Sequence, residues 1–149
     1  MLATSKVRMT QVIDLQRKVK FDIAAIRAFA ASLPEKIPQA AGSEFSVAFI
    51  SDDRMKQLNA AFRGKASTTD VLSFPFEAEP FEPETKNLGD IVISAEQARK
   101  QAAENGLSLE NEIKQLILHG VLHLCGYDHE TDNGEMNALE LELRDTLDI

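Results

Sequence analysis

The stretch from Ser108 to His129 constrains this chain more than any other. Leu109, Ile113, Leu116, Ile117, Val121 and Leu124 recur at three- and four-residue intervals. That spacing predicts one long helix with an apolar stripe, started by a Ser108 cap and ended by Gly126. The last turns of the same helix carry His119 and His123, and His129 follows the glycine. Residues four apart on a helix share a face, so the first two imidazoles point the same way. Glycine allows a left-handed turn, which can bring His129 back toward them. The three histidines of the chain thus fall within one eleven-residue segment.

Three neutral imidazoles suit a divalent ion such as Zn²⁺ and leave a fourth tetrahedral position open, as in catalytic rather than structural sites. The spacing H-x3-H-x5-H is too regular to read as three unrelated core or surface histidines. Cys125 is a ligand by type, but helical spacing turns it away from the His119/His123 face, and it reads as a small buried hydrophobe. Tyr127 and Asp128 lie in the turn. Either can orient a ligand from behind, and packing and turn formation explain them equally well. The pattern is similar to the metzincin motif H-E-x-x-H-x-x-G-x-x-H, but Gly120 stands where those proteases carry a glutamate base. General-base catalysis contributes ~10²–10⁴-fold, so this departure counts strongly against peptide hydrolysis.

Around this segment the chain reads as a mixture of strands and helices. Residues 7–15 give a weak strand signal, and residues 45–50 and 90–94 stronger ones. Val71 to Phe74 form a short strand stopped by Pro75. A helix beginning near Phe21 is capped by Asp22 and stopped by Pro34, with a loop over 34–44. A second starts at Asp52-Asp53 with Met55, Leu58, Ala61 and Phe62 as its apolar face, and Arg63-Gly64-Lys65 ends it. A third covers 95–105, and a last runs over 134–147 on Met136, Leu139, Leu143 and Leu147. Residues 76–87, acidic and carrying Pro80 and Pro83, read as an exposed loop. The expected class is α+β: a single layered domain over 1–149, with a small mixed β-sheet packed by helices, one of them carrying the histidines.

Composition bounds the rest. At 149 residues with 44% hydrophobic residues, the chain can bury one core without staples. No apolar run approaches the ~20 residues of a membrane span, and the N-terminus lacks the apolar stretch of a secretory signal. A single cysteine suits a reducing cytosol, so a cytoplasmic location is expected. The formal charge is −8, which does not favour bulk attraction to nucleic acid. It is unevenly spread. Residues 119–149 carry eight acidic residues against one basic residue, Arg144, whereas residues 1–27 carry a local +4.

Three segments resemble one family. His119-Gly-Val-Leu-His-Leu-Cys-Gly-Tyr-Asp-His129 resembles the signature of the YbeY family of bacterial ribosomal-RNA maturation endoribonucleases. Leu58-Asn59, Arg63-Gly64 and Thr69-Asp70-Val71-Leu72-Ser73-Phe74-Pro75 resemble its central block, and Leu88-Gly89-Asp90-Ile91-Val92-Ile93-Ser94 the block that follows. The departures are the Ser67-Thr68 pair and the strongly acidic loop at 76–87. The resemblance implies a metal-dependent, single-strand-specific endoribonuclease acting in 16S rRNA 3′ end maturation, ribosome biogenesis and ribosome quality control. It implies one zinc ion on His119, His123 and His129, a functional arginine at Arg63, and ribosomal RNA, the small ribosomal subunit and ribosome-associated proteins as partners.

The residues suit such chemistry. Zinc lowers the pKa of bound water from ~15.7 toward ~7 and polarises phosphoryl oxygens, with no glutamate needed. A guanidinium grips phosphate oxygens in a bidentate way, so Arg63 can meet charge developing on the phosphate, with Lys65 as a further point charge. The nucleophile, metal-activated water or a ribose 2′-OH, stays open. Two other readings compete: a zinc hydrolase of peptides or amides using Asp70 or Asp128 as base, and a non-catalytic ribosome-binding factor with structural zinc.

Overall fold

The computed structural model describes residues 10–76 and 86–149. The elements are β1 (Gln11–Asp14), α1 (Ile23–Lys36), β2 (Glu44–Ile50), α2 (Asp52–Arg63), β3 (Val71–Pro75), β4 (Asn87–Ser94), α3 (Ala95–Asn105), α4 (Leu109–Leu124) and α5 (Glu135–Leu147). The sheet order is β1-β2-β4-β3. β1 and β4 lie parallel to β2, and β3 runs antiparallel to β4. The expected α+β class with a small mixed sheet is what forms.

Side chains alternate along strands, so the sheet has two distinct faces. Val47 and Phe49 of β2 and Ile91 and Ile93 of β4 face one way. There they join Ile26, Ala30 and Leu33 of α1 and Ile113, Ile117 and Val121 of α4 in the main core. Ile50, Leu72 and Met55 form a second, smaller cluster with Leu58, Phe74 and Val92 on the other face, under α2. Gly89 sits opposite Pro75 in the β3–β4 pairing with a φ of 133°. A Cβ there would lie 2.2 Å from the Phe74 carbonyl oxygen, so only glycine fits.

Several boundaries differ from those read in the sequence. Pro34 lies inside α1 rather than ending it. Proline removes one helical bond, but the Ile37 N–H reaches the Leu33 carbonyl at 3.0 Å and closes a further turn. The expected loop at 34–44 therefore holds the end of α1 and a 3₁₀ turn at Pro38–Ala40. Ser51, rather than the aspartates, caps α2, accepting from the Arg54 N–H. The apolar face expected for α2 holds at Met55 and Leu58, but Asn59 takes the next inner position, and Ala61 and Phe62 are exposed. Of the strand signal at 7–15, residues 7–9 lie outside the described residues, as do 77–85 of the acidic segment.

Candidate metal centre and its cleft

α4 is long and buried because it fills the main face of the sheet, and this fixes where its histidines stand. Gly120 packs directly on β4: a Cβ there would lie 2.9 Å from two side-chain atoms of Ile91, itself fully buried. At the position that carries the base in metzincins, a side chain would therefore collide with Ile91 unless that strand residue shifted. Ser73 Oγ of β3 donates to the Gly120 carbonyl at 3.4 Å, so edge strand and helix backbone meet beside the histidines.

The helix ends in a Schellman turn. The Tyr127 N–H donates to the Leu122 carbonyl and the Gly126 N–H to that of His123, with Gly126 at a φ of 98°. Beyond the reversal, Asp128 accepts from the Glu130 N–H at 3.0 Å, and its carbonyl accepts from the Thr131 and Asp132 N–H groups. Asp128 thus shapes the turn that carries His129, while the Tyr127 ring packs against the main core. The three imidazoles come together. His119 and His123 have ring centroids 4.7 Å apart, and His129 lies 5.4 and 5.3 Å from them. Candidate ligand atoms of all three lie within 4.8 Å of one another.

One carboxylate that sequence reasoning missed orders this group. His119 Nδ1 lies 2.6 Å from Oε1 of Glu140 on α5, whose other oxygen accepts from Arg144 one turn on. Burial pushes the Glu140 carboxyl up, but its bonds to His119 and Arg144 outweigh this and hold it below the usual range. An ionised carboxylate only accepts, so Nδ1 carries the proton of this bond and Nε2 is the nitrogen left to face a metal ion. That Nε2 lies 3.2 Å from Nε2 of His123. Two nitrogens on a tetrahedral ion at ~2.0–2.1 Å stand about 3.3 Å apart, so the donor set fits a zinc-like ion. Burial, then the neighbouring His119 and His129, lower the His123 pKa, which keeps this ring in the neutral ligand form. The sequence did hold a signal for Glu140: a carboxylate between Met136 and Leu143 on the buried stripe of α5.

All three imidazoles line one open cavity of about 610 Å³, together with Arg63, Asp70, Tyr127 and Asp128. Of the site residues expected from the sequence, all but Lys65 thus border the same space. Arg63 lines it from the end of α2, and loop 64–70 joins that helix to β3. Asp52 holds that loop by accepting from Thr68, and also accepts from Ser94 and Gln97. Lys65 is exposed and does not border the cavity. Cys125 is half-buried rather than buried; its thiol donates to the Gln39 carbonyl, and burial raises its pKa. It packs against the core as a small hydrophobe would.

Comparison with known proteins agrees. The family model described as Endoribonuclease YbeY matches residues 10–148. An Endoribonuclease YbeY from Nautilia profundicola is 55% identical over 98 residues, 66% of this chain and 68% of its own. One from Nitratiruptor sp. is 40% identical over 136 residues, 91% of this chain and 87% of its own. The solution structure of TM1509 from Thermotoga maritima superposes with a TM-score of 0.63 at 26% identity, covering 93% of this chain and 89% of that one. A match over nearly the whole length, on a fold that brings the motif histidines together, places this chain in the YbeY family of endoribonucleases.

Proposed function

We propose that the chain, acting as one domain over residues 1–149, is a single-strand-specific endoribonuclease with one zinc ion on His119, His123 and His129. Its role is 16S rRNA 3′ end maturation in the cytoplasm, within ribosome biogenesis and quality control. The observation that carries this reading is the shared cavity: the three histidines and Arg63 line one open space, and a glycine packed on Ile91 stands at position 120. When bound, a zinc ion supplies Lewis acidity toward a phosphoryl oxygen and toward water.

The chain's own residues do the rest. His119, His123 and His129 would hold the ion, with Glu140 fixing the His119 ring so that Nε2 is presented. Arg63 donates paired N–H groups to non-bridging phosphate oxygens and balances charge as it builds there. Asp128 and Tyr127 act from behind, one by shaping the His129 turn and the other by packing beneath it. The peptidase alternative has no acid at position 120 and would have to recruit Asp70 or Asp128, which already accept from the Val71 and Glu130 N–H groups. A purely structural ion leaves the open cavity and Arg63 without purpose.

The net charge of −8 makes tight binding to naked RNA weak, so proteins of the small ribosomal subunit guide the enzyme to its site. No described helix is long and apolar enough to cross a membrane.

The test is cleavage of a single-stranded RNA oligonucleotide by purified protein and by His119→Ala and Arg63→Ala variants. Both substitutions are expected to suppress cleavage. Undiminished cleavage in both overturns the assigned roles. A substrate with a 2′-deoxy scissile nucleotide separates attack by water, which survives, from attack by the 2′-OH, which does not.

A further inference from the structure

Helical spacing puts Phe62 among the inward residues of α2, yet it is 66% exposed. Its ring meets that of Phe74 edge-on, with centroids 5.2 Å apart. Phe74 is half-buried in the small cluster beneath α2 and so anchors the pair. Phe76, two residues further along the chain, is 43% exposed. None of these rings lines the cleft itself, but each is a chain neighbour of a residue that does. Phe62 immediately precedes Arg63, Phe74 and Phe76 flank Pro75, and both Arg63 and Pro75 line the cavity. The same helix and the residues after it carry exposed cations: Arg54, Lys56, Arg63 and Lys65.

We propose that Phe62, backed by Phe74 and extended by Phe76, is a stacking platform for one base of a single-stranded RNA whose phosphate sits at Arg63. The inference rests on the endoribonuclease reading and adds to it a subsite for a flanking nucleotide. Successive residues of a helix turn by about 100°, so the Phe62 ring stands to one side of the Arg63 side chain, where a base flanking a phosphate held by Arg63 can meet it. Aromatic rings beside a cationic track are how proteins hold single strands without reading sequence, because every base has a π-face. A protein partner fits less well. A stable protein interface buries ~800 Å² per side around an apolar centre, whereas here exposed rings stand among charges.

The experiment couples protein and substrate changes. A single abasic nucleotide is walked across the cleavage site of an RNA oligonucleotide, and kcat/KM is measured for wild type, Phe62→Leu and Phe62→Tyr. With wild type, one flanking abasic position is expected to lower kcat/KM about tenfold. Phe62→Leu is expected to lower cleavage of the intact strand by a similar factor and to lose nothing further at that position, while Phe62→Tyr keeps wild-type behaviour. Wild-type rates for Phe62→Leu, or an equal loss on intact and abasic strands at every position, overturn the proposal.

A readout that needs no cleavage is 2-aminopurine fluorescence at the same position, expected to be quenched by wild type and Phe62→Tyr but not by Phe62→Leu. Equal fluorescence with wild type and Phe62→Leu overturns the platform. Quenching without any RNA cleavage overturns the endoribonuclease reading and leaves the platform standing.

Discussion

The two walls of the cleft are built differently. The histidine wall rests on α4, nine of whose sixteen residues are buried, and the His119 ring is fixed from behind by a buried glutamate. The opposite wall consists of the exposed end of α2 and loop 64–70, tied down through Asp52 and a small apolar cluster. The first wall is organised to hold a cation in one geometry. The second, on the proposed reading, meets a flexible polyanion, and its residues are exposed. Metal retention and substrate handling should therefore respond to different substitutions.

The largest separation is expected from His123→Ala. Metal content, measured by mass spectrometry of the purified protein, should fall close to zero. Cleavage should fall about a thousandfold or more, because the several kcal/mol that a bound ion supplies are lost. Arg63→Ala should lower kcat about 10²–10³-fold with metal content unchanged. Arg63→Lys should not restore it, since an ammonium cannot make the paired contact. Loss of metal in the arginine variant would erase the distinction between the walls. Glu140→Gln keeps the shape but not the charge, and metal affinity should weaken about 10–100-fold in a chelator competition.

The smallest effect belongs to Asp52→Asn. Burial raises the Asp52 carboxyl, but hydrogen bonds from Thr68, Ser94 and Gln97 and the charge of Lys56 outweigh it and leave its pKa lowered. A group lowered on folding stabilises the native state above its unfolded pKa. That contribution is lost as pH falls through the lower folded value. Urea midpoints should therefore drop between the ordinary Asp range and more acidic pH in wild type, and the asparagine variant should lack this component while keeping its metal.

The same contrast explains what could be read in the sequence. His119, His123, Gly126 and His129 lie within one local segment, and their convergence follows from helical pitch and one glycine turn. Glu140 is 21 residues from its histidine partner, and nothing local announces that pairing. Phe62 has the right period for the α2 core, but period alone does not say that the small cluster ends at Leu58 and that Asn59 fills the next inner place. Pro34 marks a helix end in general, yet a single lost bond one turn from the terminus is tolerated. Local chemistry was legible; the reach of each packing layer was not.

Contact between Gly120 and Ile91 also limits where this scaffold can go. Installing a protease-style acid by one codon change would drive its side chain into the central strand, and overpacking a tight core typically costs ~1–3 kcal/mol even for small additions. A route from nuclease to peptidase on this framework would have to reshape the sheet first, so the two chemistries are separated by architecture and not by a single acid.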